Sequence, residues 1–424
     1  MTLTYDRLLS CVAGNAVGVR CRTMLQPLGG PGDKVFPPTY GVSDNAETKY
    51  ATEERYVPPE DGINGSVVRS VVLDSVASQA NRLELALLNA IRRGDLQAPV
   101  TSVDFTQARD LTGLDRISDY EAPHRIFDAL LRDSFDGEHL FRNGAVGSAI
   151  TEARPRDAAA LYHHSPHTLV FGGWDSTGPR GGLGAKYERA ITSEIVALDI
   201  EIGKKTASRI DPVGIELRSG PLYEAPDGTW TLDAGSAITE NGKPRLLGTR
   251  GQAGQAGRPS QANLGNVTPS IDARAGGITA RKIIGTTVLS FIQLRRLRFP
   301  TRPDGSALDG DRAQAEAAAR AALAALGLAA AVLAFEEGFD LRSRCVLVTE
   351  SPVTLEMVSR DGTAIPFELA SAHALKLVTE AADRAAAAGM PWRTGELLLR
   401  PADRLVELIR RSQQLAEVGG AEDQ

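Results

Sequence analysis

The residues best equipped for chemistry lie in one stretch, FGGWDSTGPRGGLGAK, from Phe171 to Lys186. Six glycines fall between Gly172 and Gly184, with Arg180 and Lys186 among and after them. Glycines let backbone N–H groups approach an oxyanion closely, so the loop suits a phosphate; a purely structural tight turn is the competing reading. Neither familiar nucleotide cradle fits. A P-loop needs lysine directly after its last glycine and then Ser or Thr, whereas Gly184 is followed by Ala185, Lys186 and Tyr187. A dinucleotide fingerprint running through Gly182 and Gly184 would require glycine where Tyr187 stands. The general physics remains: a glycine loop, two cations and an expected helix start after it, which favours an anion.

Other reactive side chains form no constellation. His163, His164 and His167 (HHSPH) have no acid or cysteine at ligand spacing, so they are expected to be loop histidines and no metal is expected. His124, before Arg125, suits either a phosphate contact or a cap. Asp74, Asp175 and Asp211 are isolated and suit turns or caps. There is no G-x-S-x-G elbow, no H-E-x-x-H and no deaminase signature, so neither catalysis nor a cofactor is expected. Cys11, Cys21 and Cys345, odd in number and without CxxC spacing, fit small buried hydrophobes in a reducing cytoplasm. No secretory signal is read. The apolar run Ala321 to Phe335 is too short to cross a bilayer and suits a core helix, so no membrane partner is expected.

Net charge is −6 over 424 residues, but its distribution is uneven. Lys243, Arg245, Arg250, Arg258, Arg274, Arg281, Lys282, Arg295, Arg296, Arg298 and Arg302 face a single acid, Asp272, between Gly242 and Arg302. Such a segment is the footprint of a polyanion partner, or of pairing with the acidic region after Pro303. Aromatic residues are only 5% of the chain, which argues against a base-stacking platform and for a grip on the sugar-phosphate backbone.

The positioning elements follow from periodicity. Ala16–Leu25 alternates as a strand, and QPLGGPGDKVFPPTY after it is a loop. Val71–Gly94 has helical spacing, capped by Asp74 or Ser75. Ala122–Ser134 reads as a second helix, Thr168–Phe171 as a strand, and Tyr187–Ile200 as a helix with Ile191, Ile195, Val196 and Leu198 inward. Gly203–Pro212 is a basic loop, and Arg250–Lys282 a mobile arm or hairpin that orders on a partner. Helices are expected from Arg312 to about Glu337, over Phe367–Ala388 and over Ala402–Glu417, and strands at Cys345–Glu350 and GELLLRP. The class is α/β or α+β with insertions.

Seven blocks, in order, carry a resemblance: LQPLGGPGDKVFPPTY, VVLDSVASQANRLE, APHRIFDALLRDS, LVFGGWDSTGPRGGLGAKYERAITSEIV, KKTASRIDP, GNVTP and LRRLRFP. From about Leu25 to Pro300 the chain closely resembles the seven-type backbone subunit of type I-U (I-G) CRISPR Cascade, of the RAMP superfamily. The resemblance implies an α+β fold: a modified RRM-like (ferredoxin-like) palm, a finger insertion, a thumb-like hairpin and a helical C-terminal region. It divides the chain into palm (1–94), finger-like insertion (95–165), palm with the glycine loop (166–202), basic thumb-like arm (203–285), and palm completion with the helical region (286–424).

The implied function is to coat crRNA and present its bases to target DNA, with partners crRNA, further copies in a helical filament and other Cascade subunits, in the cytoplasm. The implied RNA-binding set is Arg22, Lys34, Gln79, Asn81, Arg82, His124, Arg125, Arg180, Gly182, Lys186, Lys204, Lys205, Arg209, Arg281 and Lys282, with no catalytic, metal or cofactor residue. The alternatives are a metal-dependent RAMP ribonuclease using Asp175 or Asp211, and a nucleotide-binding enzyme using the glycine loop.

Overall fold

The computed structural model describes residues 3–43, 45–59, 65–178, 184–216, 218–248, 255–308 and 310–419. Helix α1 (Tyr5–Ala13) leads into β1 (Ala16–Pro27), the hairpin β2 (Thr52–Val57) and β3 (Ser66–Asp74), and α2 (Val76–Arg93). After β4 (Val100–Asp104) and a stretch of short helices and strands come β5 (Ile191–Ile202), β6 (Lys205–Arg209), β7 (Val267–Asp272) and β8 (Ile278–Ser290). The last part holds α3 (Arg312–Glu337), β9 (Phe339–Arg342), β10 (Cys345–Thr349), β11 (Leu355–Ser359), β12 (Ala364–Phe367), α4 (Ser371–Ala387), β13 (Glu396–Pro401) and α5 (Asp403–Gly419).

Among the described residues the main sheet has nine strands in the order β9-β10-β1-β8-β5-β3-β2, with β11 also on β1 and β12 on β11. β1 runs antiparallel to β8, β10 and β11, and β8 antiparallel to β5. The path β1–α2–β5–β8–α3–β10 is therefore β-α-β-β-α-β, with the last strand beside the first and the third between the first two. That is the ferredoxin-like arrangement of an RRM-like palm, and the fold class is α+β. The β2–β3 hairpin extends the sheet at one edge.

The helices lie on one face. Val19, Cys21, Ile195, Ile283 and Leu289 are buried on that side. Gln79 of α2 bonds Ser193 of β5 there, and α3 packs on α1, α2 and α4. α3 approaches closely because it is mostly alanine: a Cβ at Gly327 would sit 3.1 Å from Leu289. With 26 residues, α3 is longer than the apolar run alone suggests and is long and apolar enough to span a bilayer. Yet 83% of its apolar window is buried inside the protein.

Four expected elements differ. Tyr187–Ile200 is largely strand β5, because Ile191, Ile195, Val196 and Ile200 are β-branched and alternate between faces. Their helix-like spacing is a by-product of burial on both faces. Thr168–Phe171 belongs to a helix, Pro166–Phe171, buried at every position, so no amphipathic period marks it. Val71–Asp74 finishes β3. Ser75, whose side chain accepts from the Ser78 N–H, then caps α2, and Gly94 ends it at φ 82°. Ala122–Ser134 breaks into two short turns of helix around Asp128, with Arg125 at φ 55°.

The expected finger-like insertion, residues 95–165, is joined to the C-terminal region through a small sheet. β4 pairs in parallel with β13, and the two share a small sheet with three short strands. In the arm after β5, β6 and β7 form an antiparallel stem, two short hairpins lie between them, and Gly203 N–H bonds the Gly277 carbonyl at 2.8 Å to close its root.

Candidate nucleic-acid interface

The sheet face opposite the helices presents rows of side chains fixed by strand register. Arg20, Val288 and Thr192 lie in one row, and Arg20 is paired with Glu356 of β11 at 2.7 Å. Arg22, Thr286 and Glu194 form the next, where Glu194 is held by Arg55 at 3.1 Å. Arg22 is exposed, with no side-chain partner among the described residues. Beyond these rows Met24, Ile284, Val196, Leu198, Val57 and Val68 form an apolar patch. Among the described residues these rows offer an unpaired arginine and two threonine hydroxyls beside two acid-paired arginines and no aromatic ring, which suits contact with phosphate and sugar.

At the arm root Lys34 comes up to the sequence neighbours Lys204 and Lys205, 170 residues away from Lys204. Lys34 Nζ donates to the Lys204 carbonyl at 3.0 Å, and Lys205 pairs with Asp272 across the β6–β7 stem at 3.3 Å. Glycines permit this approach, since a Cβ at Gly276 would lie 2.1 Å from the Gly203 carbonyl oxygen. The Lys204 side chain is exposed. The arm root thus carries three lysines on close-packed backbone, one bonded to a carbonyl, one exposed and one paired with an acid. Arg281 is exposed near the same end of the sheet and 3.8 Å from Asp199, and Lys282 is paired with Leu198 in the ladder.

Gln79, Arg82, Arg125 and Arg209 are each bonded within the fold, whereas His124 and Asn81 are exposed. Gln79 is 3% exposed; its amide donates to Asp74 at 2.7 Å and accepts from Ser193 at 2.8 Å. Arg82 donates to Asp74 and to the Asp340 and Leu341 carbonyls. Arg125 is buried, donates to both oxygens of Glu84 at 2.6 and 2.7 Å, and reaches the Gly172 carbonyl at 3.0 Å. Burial pushes the Glu84 carboxyl up while Arg125 pulls it back. His124 is exposed, with its backbone N–H on Asp128. Asn81 is exposed on α2 in the helix layer, away from the open face. Arg209 donates twice to the Gly265 carbonyl, tying β6 to the segment before β7.

The glycine loop opens as a hairpin: Gly173–Trp174 pairs with Lys186–Tyr187. A Cβ at Gly184 would meet the Asp175 carbonyl oxygen at 1.8 Å, so glycine is needed there for close packing. Because β5 follows, there is no helix start behind Lys186 to attract an anion. Arg180 and Gly182 lie outside the described residues. Asp175 is buried and held by Arg142 at 2.6 Å. Asp211 accepts the Gly265 and Val213 backbone N–H groups, a structural use of each carboxylate.

The histidines are not loop residues. His167 is fully buried and stacks on Tyr120 at 3.7 Å, with Nε2 3.6 Å from Asp119. His163 Nδ1 lies 2.8 Å from the Pro391 carbonyl, and burial lowers His164 to about 4. Asp119 accepts from the Thr101 N–H and the Ser165 hydroxyl, each at 3.1 Å. Burial nevertheless pushes its carboxyl up to about 7. Folded Asp119 thus holds its proton more tightly than the unfolded chain does. Its contribution to stability is full below the ordinary aspartate range and is lost as pH rises through about 7. Asp119→Asn is expected to flatten the decline in urea midpoint between acid and neutral pH. A variant with the wild-type slope would show that another group titrates.

Residues 19–202 match the family model of CRISPR-associated protein GSU0053. The match supports a CRISPR-associated protein. It begins in β1 and ends with the last residue of β5, so the arm and the second half of the palm lie beyond it. No curated protein matches the chain.

Proposed function

We propose that this chain is the crRNA-binding backbone subunit of a type I-U/I-G Cascade complex. Copies assemble side by side along the guide in the cytoplasm, each gripping phosphates and leaving bases free to pair with target DNA. The observation that carries this reading is a helix-free palm face beside a lysine-rooted arm, in a chain whose first half resembles a CRISPR-associated family. The subunit holds RNA without cutting it, since Asp175 and Asp211 are each committed to loop structure. Coexpressed with a crRNA, the protein is expected to purify as a large particle with an absorbance ratio dominated by nucleic acid. Raising salt should strip the RNA, because phosphate contacts release counterions. A protein that stays RNA-free and of unchanged size with crRNA at low salt would overturn the reading. Cleavage of labelled crRNA or its complement in magnesium would favour a ribonuclease.

A further inference from the structure

The glycine-loop hairpin has two unlike sides. On one, Gly173 and Tyr187 pack inward, with a Cβ at Gly173 only 2.7 Å from Thr168 and the Tyr187 ring stacked near Phe127 at 6.3 Å. On the other, Trp174 and Lys186 are direct cross-strand partners, so their side chains leave the same face as neighbours. Trp174 is 50% exposed and Lys186 is exposed. Among the described residues the indole has no ring partner and the ammonium no acid.

We propose that Trp174 is a stacking platform for an unpaired base of single-stranded RNA, with Lys186 holding the adjacent phosphate. This rests on the RNA-binding reading above and adds an aromatic contact to it.

Three observations favour a base over a protein partner. The mount is rigid: the Asp175 N–H bonds the Ala185 carbonyl across the hairpin, and Arg142 ties Asp175 and the Thr177 carbonyl below it. Among the described residues Trp174 is a lone ring beside a cation, and its nearest exposed neighbours along the chain are Ser176 and Thr177. Pairing a π-face with a nearby positive charge is how single strands are held without reading sequence. The low aromatic content of the chain therefore hides one well-placed ring. Of three tryptophans, Trp392 is packed against the core and Trp230 lies on the arm.

The test uses the full chain and fluorescein-labelled oligouridine, oligoadenosine and an abasic strand of equal length. Trp174→Ala is expected to weaken binding to both base-bearing strands about 10-fold and to leave abasic binding and the salt slope unchanged, while Trp174→Phe restores most of the loss. Lys186→Gln is expected to reduce the log–log salt slope by about 0.7 on all three strands. Wild-type affinity in Trp174→Ala, or an equal loss on the abasic strand, overturns the platform and leaves the RNA-binding reading standing. Failure of the wild type to bind any strand overturns both.

Discussion

A chain carrying Lys34→Gln, Lys204→Gln and Lys205→Gln is expected to bind guide RNA about 100-fold more weakly at low salt, with its fold intact. All three lysines lie at the arm root, Lys34 bonded to the Lys204 carbonyl, Lys204 exposed and Lys205 paired with Asp272. Each phosphate contact on a single strand contributes about 0.7 to the slope of log affinity against log salt, so losing three lowers it by about 2. Glutamine removes the charge, keeps a hydrogen-bond donor, and avoids placing an acid opposite Asp272. Filter binding across a salt series, with a thermal melt as control, decides the matter. An unchanged slope with the melt preserved would mean that phosphates are held elsewhere.

Arg125→Ala is expected to destabilise the protein by about 3–5 kcal/mol, the cost of stranding a buried charge. Arg125 is the partner of Glu84 through two short bonds and also holds the Gly172 carbonyl at the base of the glycine loop. With the guanidinium gone, burial is opposed only by the charge of Arg189, and the Glu84 carboxyl moves further up. The variant should therefore be more stable in mild acid than above neutrality, since a raised carboxyl loses its contribution as pH rises. The double change Glu84→Leu with Arg125→Met should recover most of the loss, because an apolar pair of similar volume strands no charge. Urea unfolding of the two variants beside the wild type tests this. A single variant within about 0.5 kcal/mol of wild type would mean that water reaches Glu84.

Much of the scaffold was legible because its periods are clean. β1 alternates, and α3 runs from Arg312 to Glu337 as its composition implies. β5 was not legible, because a strand buried on both faces imitates a helix over a few residues. The site was harder. Lys34 and Lys204 are distant in sequence, and only the closed arm root joins them. Gln79, Arg82 and Arg125 are polar residue types that usually lie at the surface, yet here they fill a buried network. The basic run has the same ambiguity: Arg295 donates to the Cys11, Val12 and Ala16 carbonyls, and Arg298 pairs with Glu316. Part of that positive charge stitches the fold.

The parallel pairing of β4 with β13 has a consequence for how the molecule is made. Val100 is matched to Glu396, and β13 is the central strand of the small sheet. On a ribosome adding about 5–20 residues per second, β4 emerges roughly 15–60 s before its partner exists. Throughout that interval a strand carrying Val100 and Val103 has an open edge in a crowded cell. The early half of the nascent chain therefore waits unfinished, and the last turn of synthesis locks it.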